Sequence, residues 1–431
     1  MYKIKLGNIR LLLIMSVYFV ICLSLTSINV KYSIDLYGLK FPFYILYAIF
    51  VLGIISVVDC IVEKKFVTRN AAYYICWILL EIAIILVMGL FKDVSYICVI
   101  DELIVFLVPF VLCVHIKKYS INKNSIIMMM VTVGNIVSMQ VYIYTFFYRI
   151  AQQLLGWGAN RFGTGSVRAD TTMGAATSTS IYLYTIVVMC LYLLCQQLSN
   201  FKKKYIYCSL GVILFAQLLL QTRSGILMSA MIIVYFLFKS YNYKVNRNLI
   251  YAFGGGAFFI IAWKKDIILS FFSRFVGTNK MTAVSDSLRM QLMKEGINKW
   301  NDNILFGDGF GQGLARINQI TRMSDAIGNP HNQYISFLID FGLIGLLLFA
   351  VCGIIFFVSN YRNKTDKFLL VACIFLLLIA FNTETLLTQS LKNAIIVWNL
   401  VIIVVLDSCK KGEKNEEDSD IYTSRIGELR K

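Results

Sequence analysis

Apolar runs long enough to cross a lipid bilayer recur along almost the whole chain, and that repetition limits the fold more than any other feature. A spanning helix needs roughly 20 apolar residues. Runs of that kind fall at about 9–30, 41–62, 72–91, 95–116, 125–148, 176–198, 205–221, 225–239, 248–263, 332–358, 367–386 and 391–407. Left unbroken, the stretch 205–239 would form one helix of roughly 52 Å, against a hydrocarbon core of about 30 Å. It must turn, and Thr222-Arg223-Ser224-Gly225 is its only polar interruption. Charged residues make up 15% of the chain, well below the quarter or so typical of soluble domains. No small-residue cleavage site follows the first run, so Ile9 to Val30 is expected to remain as the first span.

Charge placement tests the count independently. With the N-terminus inside, the inner segments carry Lys3, Lys5, Arg10; Lys64, Lys65, Arg69; Lys117, Lys118, Lys123; Lys202, Lys203, Lys204; Lys239, Lys244, Arg247; and Arg362, Lys364, Lys367. Lys410, Lys411 and Lys414 follow the last span. The short outer loops carry far fewer positive charges. This positive-inside alternation predicts about 12 transmembrane helices, an inner-membrane location and two cytoplasmic termini. The formal charge of +17 is therefore a topology signal. Nucleic-acid binding would need basic residues gathered on one folded module, so no nucleic-acid partner is expected. The cysteines lie in spans or at inner ends, with no disulfide or zinc spacing.

The expected fold is an all-α polytopic membrane protein in four parts. Residues 1–263 hold the first nine spans, 264–330 a large outer loop, 331–407 three more spans and 408–431 a charged cytoplasmic tail. The outer loop is far longer than a connection requires. Its middle reads as an amphipathic helix, with Leu288, Leu292, Met293, Ile297 and Trp300 at helical spacing and Ser285 or Asp286 as cap. A glycine-rich stretch from Gly307 to Gly313 follows. It has no Gly-Lys-Ser/Thr ending and follows a helix rather than a strand, so it reads as a flexible turn, not a phosphate cradle.

Two histidines occur. His115, beside Lys117 and Lys118 at an inner helix end, reads as an interfacial residue with no special role. His331 stands in Gly328-Asn329-Pro330-His331-Asn332-Gln333-Tyr334, at the outer mouth of the tenth span. An imidazole there suits proton transfer near neutral pH. Several outer arginines accompany it. Arg223 occupies the tight turn, where an arginine at the membrane boundary needs an anionic partner or must snorkel. Arg289 lies on the loop helix. Arg161 and Arg168 flank Phe162-Gly163-Thr164-Gly165-Ser166-Val167 and are weaker candidates, better read as ordinary surface charges. Guanidinium groups bind phosphate in bidentate fashion. Among acidic groups, Glu81 in mid-span is costly unless paired, and Asp101 and Glu102 lie near an outer helix end.

Three signals together resemble the bacterial O-antigen polymerase and O-antigen ligase superfamily. They are Arg223-Ser224-Gly225 after an apolar span; Arg289 and its helix to Trp300, followed by Asn303-Ile304-Leu305-Phe306-Gly307-Asp308-Gly309-Phe310-Gly311; and Pro330-His331-Asn332-Gln333-Tyr334 running into Phe341-Gly342-Leu343-Ile344-Gly345-Leu346. Their order and spacing match from about residue 205 to 350. The N-terminal half carries no comparable motif. The resemblance implies a membrane glycosyltransferase with a GT-C-like helical body, using a glycan donor on undecaprenyl diphosphate. His331 would be catalytic, Arg223 and Arg289 would hold the diphosphate, and Arg161, Arg168 and Asn332 would be further substrate-binding candidates. No cofactor and no metal ligand set is implied. Donor and acceptor lipid-linked oligosaccharides, membrane lipid, chain-length regulator and flippase proteins would be the partners.

A polymerase reading and a ligase reading both fit, with polymerase preferred because no extra outer domain is present. The rival from another class is a flippase or transporter. Such a carrier would show compact loops and paired broken helices from internal repeats, whereas this chain gathers its polar features in one outer loop. The topology is testable by cysteine accessibility: Gln291 and Gln312 should label from outside, and Lys203, Lys244, Lys364 and Lys414 positions from inside. Labelling of position 312 from the cytoplasm would remove His331 from an outer site.

Overall fold

The computed structural model describes residues 2–36, 39–63, 69–88, 96–118, 123–147, 169–239, 280–309, 330–363, 365–388 and 390–407. The expected span 248–263, Arg161, Arg168, the stretch from Phe310 to Gly313 and the tail lie outside them. The described chain is helical except for two short antiparallel strands, β1 (Ile34–Leu36) and β2 (Leu39–Phe41), paired through Asp35 and Lys40. This ribbon is a small departure from the expected all-α chain.

The helices are α1 (Tyr2–Leu23), α2 (Thr26–Lys31), α3 (Phe43–Glu63), α4 (Arg69–Met88), α5 (Tyr96–Lys118), α6 (Lys123–Phe146), α7 (Ala176–Leu194), α8 (Asn200–Leu220), α9 (Arg223–Lys239), α10 (Lys280–Asn301), α11 (Gln333–Arg362), α12 (Lys367–Phe375) and α13 (391–407). Among the described residues, five are long and apolar enough to cross a membrane: those over Val99–Ile116, Lys123–Phe146, Ala176–Leu194, Asn200–Leu220 and Gln333–Arg362. The first expected span is interrupted, since α1 ends at Leu23 and α2 begins at Thr26. The stretch 205–239 breaks where its polar residues stand: α8 ends at Leu220, Gln221 takes a left-handed conformation, and α9 starts at Arg223. The loop helix α10 starts at Lys280, earlier than a cap at Ser285 or Asp286 would place it.

Helix α7 is the axis of the bundle. Every residue from Ala176 to Leu194 except Thr177 is buried. It packs against α6, α8 and α9. Contact with α9 is close because Gly225 has no side chain; a Cβ there would sit 2.8 Å from the Ser180 Cβ. Outward faces stay apolar, as a lipid-facing surface requires. On α11 Leu347, Val351, Ile354, Val358 and Tyr361 are all exposed at helical spacing.

Polar networks mark the two ends of the bundle. At one end Lys392 donates to the carbonyls of Ser24 (3.0 Å) and Thr172 (2.7 Å), and the Gln140 side chain accepts from Thr172 N–H (3.1 Å) and Oγ1 (3.0 Å). At the other, Lys123 pairs with Asp407 (2.8 Å), which also accepts from the Tyr192 hydroxyl (2.5 Å) and Asp366 N–H (2.9 Å), while Lys239 pairs with Asp366. Asp59 stands toward that same end, between Arg10 (3.2 Å) and His115 (3.2 Å), and His115 Nε2 lies 3.1 Å from Ser56 Oγ. Arg10, Lys123, Lys239 and Lys367, all expected inside, thus share one end. His115 is corrected by this cluster. It is fully buried among charged partners, not an interfacial bystander.

Helix α11 is broken at Gly342, whose φ of 61° and ψ of −167° leave the helix. The segment 304–309 fills the break. Asp308 and Gly309 N–H donate to the carbonyls of Ile339 (2.8 Å) and Asp340 (2.7 Å), and Leu343 and Ile344 N–H donate back to Ile304 (2.9 Å) and Leu305 (3.0 Å). The first part of the glycine-rich stretch is therefore a docked plug and not a flexible turn. Gly307 has φ 67°, and a Cβ on Gly342 would lie 2.5 Å from Gly307 N. Gly342→Ala should lower stability by more than about 1 kcal/mol, through strain and collision. Gly353, with nothing within 4 Å of a Cβ, is the control: Gly353→Ala should keep or raise the melting midpoint in detergent. Equal midpoints for the two variants would contradict the plug.

Candidate functional site

His331 sits immediately before α11. Asn332 caps that helix, its side chain accepting from Tyr334 N–H (3.0 Å) and Ile335 N–H (3.2 Å). Such caps are favoured because they satisfy amide donors at the helix start. His331 itself adopts φ 49°, in the left-handed region. That conformation costs a non-glycine residue on the order of 1–3 kcal/mol and persists only where the surroundings impose it. The second left-handed non-glycine residue among the described residues is Gln221 (φ 51°), two positions before Arg223. Both bends adjoin residues singled out from the sequence.

The surroundings that hold His331 come from the segment after α12. A π-helical turn, Leu376–Ala380, and a last turn, Phe381–Thr383, extend α12 to Glu384. Extra residues in a π turn shift the helix register, and such turns are frequent at functional sites. Glu384 Oε1 lies 3.0 Å from His331 Nδ1. The Glu384 side chain is 6% exposed and that of His331 26%. A carboxylate in its ionised form only accepts, so this contact suits the tautomer with the proton on Nδ1, which leaves Nε2 to act as acceptor. Gln333 fixes the same segment: its Oε1 accepts from Leu386 and Leu387 N–H (2.7 Å each) and its Nε2 donates to Thr388 Oγ1 (3.3 Å). Ser336 Oγ adds a bond to Thr388 Oγ1 (2.7 Å), and the Tyr334 hydroxyl donates to the Leu377 carbonyl (2.9 Å). Asn332 Nδ2 reaches Asn382 Oδ1 at 3.4 Å. His331, Asn332, Gln333 and Tyr334 are thus all committed to one contact with residues 377–388.

Arg223 lies at the same end. Near the far end of α9, Tyr235 and Phe236 pack on Phe368 with centroids 6.3 and 5.7 Å apart, and Lys239 pairs with Asp366. The two helices are therefore antiparallel. Thirteen residues back from Phe236 is Arg223, and thirteen forward from Phe368 is Phe381. Each step covers about 20 Å at 1.5 Å per residue. Arg223, exposed at the start of α9, is level with the turn that carries Glu384.

Arg289 approaches from the loop helix. A Cβ on Gly296 would lie 2.7 Å from Ile335 Cγ2 and 3.7 Å from Pro330 Cβ, so α10 packs on the residues flanking His331. Arg289 is seven residues earlier, which is two turns and the same face, about 10 Å along the axis. Leu292 on that face is buried. Two of the arginines and His331 are thereby gathered at one end of the bundle. Arg161 and Arg168 lie outside the described residues; the nearest described segment, Ala169 to Gly174, is anchored there through Thr172. Glu81 is fully buried against Gly345, where a Cβ would meet its Oε1 at 2.6 Å. Glu102 is also buried. Among the described residues no group of three His, Cys, Asp or Glu is placed to hold a metal ion.

Glu384 is not legible as a site residue in the sequence, because it follows His331 by 53 positions and sits in Asn382-Thr383-Glu384-Thr385 with no motif of its own. A carboxylate in an apolar C-terminal stretch is the one signal that points to it.

Comparison with protein families matches the model described as O-Antigen ligase to residues 208–350. That range begins in α8 and ends in α11, and so contains Arg223, Arg289, the plug and His331. No curated protein matches the chain. Glu384→Gln should leave His331 in place but replace the carboxylate by a neutral amide, which no longer supports a positive charge on the ring and can also turn its NH₂ donor toward Nδ1. Glycan transfer should fall on the order of 10²-fold, the low end of what positioned proton transfer contributes, with membrane insertion unchanged. Undiminished transfer would make the His331–Glu384 contact purely structural.

Proposed function

Taking as premise that this membrane protein carries a domain of the O-antigen polymerase and ligase superfamily, we propose that it is a polymerase of surface polysaccharide. Glycan transfer of the O-antigen ligase or polymerase type is what the family implies in general. On our reading the donor is a glycan on undecaprenyl diphosphate and the acceptor is the sugar end of a second lipid-linked repeat unit, at the outer face of the inner membrane. The observation that carries the reading is the 3.0 Å contact between His331 Nδ1 and Glu384 Oε1; helix rise directs Arg223 on α9 and Arg289 on α10 toward the same end of the bundle.

In the reaction an acceptor hydroxyl attacks the anomeric carbon of the donor. The bond from that carbon to the diphosphate oxygen breaks, and lipid diphosphate leaves. His331 Nε2 takes the hydroxyl proton as the new glycosidic bond forms, and Glu384 steadies the imidazolium that results. Arg223 and Arg289 bind the departing diphosphate, whose charge grows in the transition state. Attack opposite the leaving group inverts the anomeric centre. Arginines supply the countercharge, so the reaction is expected to proceed in EDTA.

Of the two activities the family implies, we take the polymerase as the reading to test. Transfer to another acceptor remains the alternative within the family. In a deletion strain, lipid-linked single repeat units should accumulate facing outward; inward-facing units would indicate a flippase instead. Arg223→Ala or Arg289→Ala should nearly abolish polymer with the protein still inserted. Lysine at either position should rescue only in part, because it lacks the planar fork. Full polymer in Arg223→Ala would reduce that residue to an interfacial anchor.

A further inference from the structure

The loop helix α10 is too polar to be a span, yet one of its flanks is apolar and exposed. Helical spacing gives it three sides. Leu292 and Gly296 are buried and face α11, where a Cβ on Gly296 would lie 2.7 Å from Ile335 Cγ2. Met290 and Ile297 stand on the next side, both exposed, and the turn Ile304-Leu305-Phe306 continues it with three more exposed apolar side chains. The Trp300 indole ties that turn to the helix, its Nε1 donating to the Ile304 carbonyl at 3.0 Å. Gln291, Lys294, Asn298 and Asn301 are exposed on the opposite flank. An apolar patch of this kind on a loop needs a covering.

Helix lengths place the flank relative to the membrane. His331 meets Glu384 at 3.0 Å, and at the other end of α12 the Lys367 ammonium lies over the Tyr361 ring at 5.7 Å. The path from Lys367 to Glu384 covers about 25 Å, whereas a straight helix from His331 to Tyr361 would cover about 45 Å. Both pairs of ends meet, so α11 cannot run straight between them. It turns at Gly342, where the backbone leaves the helix. The part after the break, 343–362, covers about 30 Å and crosses the hydrocarbon by itself. The part before it, 333–341, is left to lie across the end of the bundle, at the edge of the hydrocarbon. Helix α10 runs alongside this crosswise part, with Gly296 opposite Ile335 and Ile304 bonded to the Leu343 amide. Its apolar turn therefore adjoins Leu343 and Leu347, which are exposed on the spanning part of α11. The flank continues the lipid-facing surface around the rim.

We propose that α10 is an interfacial helix. Its Met290, Ile297 and Ile304–Phe306 flank is immersed in the acyl chains of the leaflet on the His331 side, and its Gln291, Lys294 and Asn298 flank faces water. Helices with one apolar and one polar flank settle at this boundary, with the apolar side about 5–10 Å into the headgroup and acyl region. Arg289 is then held at headgroup depth, where the diphosphate of a lipid-linked glycan travels, and meets it without lifting the lipid from the bilayer. This last step rests on the reading of Arg289 as a diphosphate ligand; the immersion does not.

The test places one environment-sensitive fluorescent residue at position 297, 306 or 298 of the full chain. The protein is reconstituted in vesicles of phosphatidylethanolamine and phosphatidylglycerol. Quenchers are a nitroxide on the lipid acyl chain and iodide on both sides of the membrane. Labels at 297 and 306 should be quenched by nitroxide several-fold more than the label at 298, and by iodide several-fold less. Equal quenching at all three positions would overturn the proposal. Shielding of 297 and 306 from both quenchers would mean that protein covers the flank, and would overturn lipid as its occupant. None of these readings needs turnover, so they stand or fall separately from glycan transfer. The role of Arg289 is read from an Ile297→Asp, Phe306→Asp double variant, whose changes are at exposed positions and leave the contact of α10 with α11 intact. It should lower kcat/KM about tenfold for the membrane-borne polyprenyl donor and leave it unchanged for a water-soluble donor with a short prenyl chain, a loss of placement and not of chemistry. Equal kcat/KM for the polyprenyl donor in the double variant and wild type would overturn that role.

Discussion

Backbone that leaves the helix inside a membrane must find its hydrogen-bond partners within the protein, because the hydrocarbon offers none. The break at Gly342 is where this chain meets that constraint. Four backbone hydrogen bonds from the segment 304–309 close it, and they require glycine on both sides, at 307 and 342. The plug ties the loop helix α10 to α11, and thereby sets where Arg289 can be relative to His331. Motif residues between Asn303 and Gly309 belong to this joint and not to a nucleotide cradle.

A second joint does the corresponding work on the other flank of His331. Gln333, Ser336 and Tyr334 bind the segment 377–388, which brings Glu384 to the imidazole. The left-handed backbone at His331 is the local cost of aiming the ring at that carboxylate. Arg223 reaches the same level because α9 runs antiparallel to α12, with aromatic rings and the Lys239–Asp366 pair fixing their register at the far end. Helix packing far from the chemistry therefore decides the geometry of the site.

Much of this is legible from residue order. The turn at Arg223, the loop helix and the start of α11 follow from apolar period and from polar interruptions. The positions of Arg10, Lys123 and Lys239 at one end agree with the charge alternation. What escapes the sequence is contact between distant segments. Glu384 has no periodicity or motif to announce it; only the π turn before it and Gln333 across from it give it a role. His115 reads wrongly from sequence because its neighbours there are Lys117 and Lys118, whereas its neighbours in space are Asp59 and Ser56. The glycines at 307 and 342 are visible, but their purpose depends on a pairing 35 residues apart.

The central claim is that His331, oriented by Glu384, takes the proton of the attacking sugar hydroxyl. The direct measurement is turnover of a lipid-linked donor by purified protein, comparing wild type with His331→Ala. The account predicts a loss of about 10²–10⁴-fold in rate, the range for positioned proton transfer, with donor binding retained. Wild-type turnover by the alanine variant would contradict it.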